Sequence, residues 1–247
     1  MPGMRDAVRH FVAEFLGTFA LVFVGSTAIV MVQQGISNLL GVAIAHGLIL
    51  AVMTTATMRV SAHFNPAVTV GFLVTRRIQP TMAVLYLMAQ LLGAMLAAYV
   101  VKFSLPPDVF AAARGATLSI SSSIQGGQAF LLEAIATFFL VFAVFGTAVD
   151  PQAPRVGGFG IGMAYTAAML AIGPMTGAAL NPARALGPAV AAGIWTGQVV
   201  YWSGPLVGGV IAAVLYDQLF LPRGPEEPGS GAVQPVRGRG ARREHAV

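Results

Sequence analysis

The 247-residue chain contains no cysteine, which excludes disulfide frameworks, thiolate metal sites and cysteine nucleophiles. Charge is nearly as scarce. Asp, Glu, Lys and Arg together make up 9% of the residues, against roughly 25% in an ordinary soluble domain. A water-facing globule of this composition would lack the polar surface to cover itself, so a soluble domain is excluded. Histidine occurs only at His10, His46, His63 and His245, too scattered for a catalytic metal cluster, and no cofactor is implied. The net charge of +5 is no nucleic-acid signature, because most of the cations lie at chain ends and loop ends.

What the chain does have is apolar length. Apolar residues make up 56% of it, and the mean hydropathy is +0.77. A bilayer core about 30 Å thick needs about 20 apolar residues per spanning helix. Six stretches qualify, near 8–32, 38–58, 80–102, 126–148, 157–173 and 197–221. Two more, 66–75 and 182–192, are introduced by Asn-Pro-Ala. At about 1.5 Å per residue they reach about half-way across and read as half-helices. The first span carries Glu14 and is too long for a signal-peptide core, so it is expected to be retained.

Basic residues orient the spans. With the N-terminus inside, Arg5, Arg9, Arg59, Arg76, Arg77, Arg155, Arg223, Arg237, Arg239, Arg242 and Arg243 fall on the cytoplasmic side, and only Lys102 and Arg114 outside. Both termini are therefore expected in the cytoplasm. A membrane unit is expected over residues 1–222. Residues 223–247 are rich in Pro, Gly and Arg with little apolar content, which predicts a disordered cytoplasmic tail. That tail reads as solubilising, with contact to anionic lipid as the alternative.

The chain repeats itself. Glu14-Phe-Leu-Gly-Thr18 recurs 119 residues on as Glu133-Ala-Ile-Ala-Thr137, and Gly41…His46 recurs at the same offset as Gly160…Tyr165. Asn65-Pro66-Ala67 recurs as Asn181-Pro182-Ala183. Each half (about 8–102 and about 126–221) holds three spans, an odd number, so the halves enter the membrane from opposite faces. Such inverted repeats place a site at the midplane, where interrupted helices meet.

Asparagine is a favoured N-cap and proline a favoured first helical residue, so Asn-Pro-Ala is a compact helix start. Two such starts meeting at the centre converge their positive dipole ends. With the Asn65 and Asn181 amides as donors, that arrangement suits a polar uncharged permeant and opposes cations, including a hopping proton. The preceding segments, Val60–Phe64 and Pro174–Leu180, are expected to be non-helical at membrane depth, with carbonyls forming an acceptor ladder. Glu14 and Glu133, intramembrane acids in need of partners, are expected to buttress these loops through backbone N–H groups, with Thr18 and Thr137 one turn on. Gly93 with Ala97, and Gly204 with Gly208, are small-residue pairs that let helices approach closely.

Three sets of residues now carry a resemblance: Ser61-Ala-His-Phe-Asn-Pro-Ala-Val-Thr69, Thr176-Gly-Ala-Ala-Leu-Asn-Pro-Ala-Arg184, and the two Glu-x-x-x-Thr pairs. Over about residues 8–221 the chain resembles the major intrinsic protein family, the aquaporins and aquaglyceroporins. The resemblance implies an all-α integral membrane fold: a right-handed bundle of six tilted transmembrane helices plus two re-entrant half-helices. It also implies a pore in each subunit of a homotetramer. By position, the family's selectivity filter becomes His46, Met169, Ala178 and Arg184, with His63 lining the pore below the first motif. Strict water channels of the family commonly carry phenylalanine at the position of His46 and histidine at that of Met169; plant vacuolar-type members carry histidine at the former. The chain also departs from the family in reading Ser61-Ala62-His63 where Gly-Gly-His is usual. Ala185 replaces the aspartate that follows the arginine in glycerol-conducting relatives, and Tyr201-Trp202 resembles the aromatic pair of water channels.

The expected function is a passive channel for water, with ammonia, hydrogen peroxide, urea and glycerol as candidate further permeants and ions and protons excluded. The alternatives are a broader neutral-solute facilitator and, from another class, a proton-coupled transporter using Glu14, Glu133 and His46. Nothing resembles an enzyme's nucleophile–base pair. The expected location is the cell (plasma or inner) membrane, with the lipid bilayer and the permeants as partners.

Overall fold

The computed structural model describes residues 3–154 and 156–222. The tail 223–247, with Arg223, Arg237, Arg239, Arg242 and Arg243, lies outside the described residues, as does Arg155. The described chain is all-helical, without a strand. Six helices are long and apolar enough to span a membrane: α1 (Met4–Gln33), α2 (Leu39–Thr57), α4 (Pro80–Ser104), α6 (Gly126–Val144, extended by a π-turn Phe145–Val149), α7 (Phe159–Thr176) and α9 (Gln198–Leu219). The half-helices are α3 (Pro66–Val74) and α8 (Pro182–Ala192). Between the halves lies the short α5 (Pro107–Ala112) with a 3₁₀ turn at Arg114–Ala116.

Side-chain patterning is inverted relative to a soluble bundle. Along α4 the buried face is mostly small, Ala83, Ala89, Gly93, Ala94, Ala97 and Ala98 with Tyr86, Gln90 and Val101 among them, while Val84, Met88, Leu92, Leu96 and Phe103 are exposed. Large apolar residues face outward because lipid tails are as apolar as they are, and small residues face inward because close backbone approach is what holds membrane helices together. A Cβ on Gly93 would sit 2.5 Å from the Phe15 carbonyl oxygen, and one on Gly208 only 1.9 Å from that of Ala134. These glycines are the closest seams between α1 and α4 and between α6 and α9.

The two halves interlock. α1 packs on α4 as α6 packs on α9, and α2 meets its repeat counterpart α7. Each half-helix packs chiefly on the last span of the opposite half, α3 on α9 and α8 on α4. At its outer end the α3 hairpin is tied to α9 by Arg77, whose Nε and Nη2 donate to Asp217 Oδ1 at 3.0 and 2.6 Å.

One expected boundary is corrected. Residues Pro174–Thr176 are helical rather than part of the loop. Proline forfeits one hydrogen bond, which a membrane helix can absorb near its end. The stop is instead Gly177, whose left-handed φ of 82° caps α7 and whose N–H donates to Gly173 O at 2.8 Å.

Candidate functional site

The loops before the two motifs meet at the centre. Asn65 and Asn181 are the N-caps: Asn65 Oδ1 accepts from Ala67 N at 2.9 Å, and Asn181 Oδ1 from Ala183 N at 2.9 Å and Arg184 N at 3.2 Å. Pro66 and Pro182 are the first helical residues, and Ala67 and Ala183 are fully buried behind them. The Nδ2 groups cross over. Asn65 donates to Leu180 O at 2.7 Å and Asn181 to Phe64 O at 2.8 Å. A primary amide has two N–H donors, so one remains on each asparagine. Phe64 and Leu180, the residues just before the motifs, take left-handed φ values of 50° and 52°. L-residues adopt that conformation at a cost of order 1–2 kcal/mol each; here it turns each carbonyl toward the opposite asparagine.

A buried carboxylate stands behind each strained loop. Glu133 accepts from Thr176 Oγ1 at 2.7 Å, Ala179 N at 2.9 Å and Leu180 N at 2.9 Å. Glu14 accepts from His63 N at 2.7 Å, Phe64 N at 2.7 Å, Gln90 Nε2 at 2.7 Å and the Ser61 hydroxyl. The threonines one turn on take no part: Thr18 Oγ1 donates to the Glu14 backbone carbonyl, and Thr137 Oγ1 has no partner among the described residues. A hydroxyl in a helix bonds most readily to the carbonyl one turn back, which draws Thr18 away from the carboxylate.

The expected acceptor ladder is partly occupied. Tyr201 OH donates to Thr176 O at 2.9 Å and Tyr165 OH to Ala179 O at 2.8 Å, while Leu180 O and Phe64 O take the asparagine amides. Each carbonyl keeps a second lone pair, so the ladder is narrower in acceptors than an unpaired loop would be.

On one side of the asparagine pair, His46 and Arg184 are in direct contact. His46 Nδ1–H donates to Val42 O at 2.8 Å, which leaves Nε2 as an acceptor for Arg184 Nε at 3.3 Å and Nη2 at 3.2 Å. The ring stacks on Tyr165 with centroids 5.7 Å apart. Arg184 Nη1 is buried without a partner among the described residues. Met169 and Arg184 line a cavity of about 770 Å³ that also touches Gly173, Gly177 and Leu118. Ala178 is fully buried and joins the group through its carbonyl, 3.5 Å from Tyr165 OH. Between the asparagines the space shrinks to about 10 Å³, lined by His63, Phe64, Asn65, Tyr165 and Asn181 among others. That is room for about one water molecule. On the far side His63 packs against Phe72 at 4.2 Å and has Nδ1 3.1 Å from Thr69 Oγ1.

Sequence reasoning missed three contributors. Gln90 ties Glu14 to Thr69 Oγ1, the latter at 2.9 Å; a glutamine in an otherwise apolar span was its signal. Tyr165 and Tyr201 hold the second loop. Tyr165 stands at the repeat position of His46, so the offset itself marked it.

A bundle of spans folded as an inverted repeat, with two helix starts facing each other across a midplane constriction, defines a polytopic membrane protein of the channel class. The sequence pattern of the family described as Major intrinsic protein matches residues 4–216. Aquaporin TIP4-4 of Zea mays is 41% identical over 232 residues, covering 90% of each chain. Probable aquaporin TIP3-2 of Arabidopsis thaliana is 35% identical over 247 residues, covering 94% of this chain and 91% of its own. The X-ray structure of the aquaglyceroporin from Plasmodium falciparum superimposes with a TM-score of 0.75 at 27% identity, covering 86% of this chain and 96% of its own. The chain belongs to the major intrinsic protein family.

Proposed function

We propose that the chain is a passive channel for water and not an enzyme. The observation that carries this reading is the central pair of asparagines. Each spends its carbonyl on its own helix start and one N–H on the opposite loop, so one oriented donor per residue is left for a passing molecule. A water held by two fixed donors at the positive ends of α3 and α8 must point its oxygen at both, which interrupts the donor–acceptor chain a proton needs. The names of the maize and Arabidopsis relatives, both aquaporins, support the same reading.

Residues 1–222 form the channel unit in this proposal, with repeats at about 8–102 and about 126–221. His46, Met169, Ala178 and Arg184 form the filter; Asn65, Pro66, Ala67, Asn181, Pro182 and Ala183 form the centre. His63 lines the opposite vestibule, and Glu14 and Glu133 buttress the loops. Arg184 repels cations and offers Nη1 to a neutral solute. The protein works as a homotetramer in the cell membrane with both termini cytoplasmic.

A second reading has one observation in its favour. Met169 presents a flexible side chain to the 770 Å³ vestibule, which suits neutral solutes larger than water: urea, glycerol, ammonia or hydrogen peroxide. Stopped-flow osmotic shrinkage of proteoliposomes separates the two. Fast water with slow glycerol and urea supports the narrow channel, and comparable solute flux supports the facilitator. No flux above bare lipid refutes both. Chemical cross-linking in detergent tests the tetramer.

A further inference from the structure

The face at which α4 ends carries an unusual pair of cations, one of which, Arg114, also borders the 770 Å³ vestibule of the pore. Among the described residues outside the pore, Arg5, Arg9, Arg59, Arg76 and Arg77 cluster on the face where α1 begins, and only Lys102 and Arg114 lie on the other. Both line one groove of about 520 Å³, together with Phe103, Phe110, Ala192 and Ile194. No carboxylate lines it, although Asp108 lies on the adjoining α5. Lys102 Nζ sits 5.9 Å from the Tyr99 and the Phe110 ring centroids and donates to Ala191 O at 2.7 Å. An ammonium has three donors, so two remain. The Arg114 guanidinium is exposed and has neither an ion pair nor a hydrogen bond among the described residues.

The backbone that presents Arg114 is strained. Arg114, Gly115 and Ala116 are left-handed in succession, at φ 50°, 63° and 59°, a conformation that L-residues avoid. A Cβ on Gly115 would lie 2.6 Å from Ala192 Cβ and 2.8 Å from Phe110 Cζ, so the turn is clamped onto the walls of the groove itself. Such strain persists where the surroundings over-determine it, and it marks functional positions.

Depth identifies the occupant. Lys102 lies in the last turn of α4, about 33 Å along the helix from its start at 1.5 Å per residue, which puts it at the edge of a hydrocarbon core about 30 Å thick. Phe103 beside it is 81% exposed, an apolar side chain at the depth where acyl chains end. We propose that this groove seats an anionic glycerophospholipid, with the headgroup phosphate on Lys102 and Arg114 and an acyl chain against Phe103, Phe110 and Ile194. The assignment does not depend on the identity of the permeant, although Arg114 stands between the groove and the pore vestibule.

The test uses the full chain, delipidated and then offered dioleoylphosphatidylglycerol or dioleoylphosphatidylcholine, with retention read by native mass spectrometry. The wild type is expected to retain the anionic lipid preferentially. Each cation near a membrane surface is worth about fivefold in binding. Arg114→Gln should therefore cut the preference about fivefold, and Lys102→Gln with Arg114→Gln about 25-fold. Arg114 is exposed and its side chain makes no hydrogen bond or ion pair among the described residues, so its single variant decides the matter if the double variant does not fold. Equal retention of the two lipids by wild type overturns the proposal. So does displacement of the lipid by inorganic phosphate at equal concentration, which would mean a free-anion site. Dissociation of the oligomer in the variant with lipid retention unchanged also overturns it, since a second copy of the chain would then cover the groove.

Discussion

Replacing Glu133 by glutamine is isosteric, yet it sets one hydrogen-bond donor against another. Oε1 accepts from both Thr176 Oγ1 and Ala179 N, and Oε2 from Leu180 N. The amide of Glu133→Gln places its oxygen best at the doubly used position, so its NH₂ faces the Leu180 N–H. One charge-assisted bond worth about 1.5–3 kcal/mol is lost, and a buried backbone N–H is left unpaired at about 1–3 kcal/mol more. The N–H concerned belongs to Leu180, the residue held at φ 52° whose carbonyl receives the Asn65 amide. Strain and geometry therefore fail together. A loss of about 3–5 kcal/mol corresponds to a fall in melting temperature of about 10 °C for a chain of this size, and osmotic water permeability per channel should fall with it. The assay is thermal unfolding in detergent alongside stopped-flow shrinkage of proteoliposomes at matched protein density. If Glu133→Gln melts within about 1 °C of wild type and conducts equally, the carboxylate does not hold the loop.

Arg184→Val removes the unpartnered Nη1 and both bonds to His46 Nε2; urea and glycerol flux should rise relative to water, and unchanged ratios would place the constriction elsewhere. Gly208→Ala drives a methyl to 1.9 Å from the Ala134 carbonyl oxygen. A clash with backbone cannot be relieved by a rotamer, so a loss of at least about 1–3 kcal/mol should appear as a lower melting temperature with little change in solute selectivity. Mercurials should not inhibit the channel through a thiol, because the chain has no cysteine; block reversed by a reducing agent would contradict this.

How much of this was legible in sequence depended on how far apart the interacting residues lie. The spans follow from runs of apolar residues, and the half-helix starts follow from Asn-Pro-Ala, whose capping bonds reach only two or three residues. Glu14 and Glu133 stood out because a carboxylate at membrane depth needs partners. Their backbone N–H partners follow from that need, but their side-chain partners did not stand out, since Ser61, Gln90 and Thr176 lie 43 to 76 residues away. The crossed amides, which join residues 115 and 117 apart, leave no local trace at all. Pro174 misled because proline is a strong breaker in a helix interior, whereas the adjoining Gly177 was the true stop. The short α5 offered too few residues for a periodicity to emerge.

The crossed amides also impose an order of assembly. The Phe64 carbonyl receives its partner only from Asn181, 117 residues later. At about 5–20 residues per second of synthesis, the first loop stands incomplete in the membrane for roughly 6–23 seconds before its donor has been made. During that interval Glu14 and its four donors hold Phe64 in place alone. The first half must therefore be able to hold its loop from its own residues, whereas the second finds its complement already inserted when it arrives.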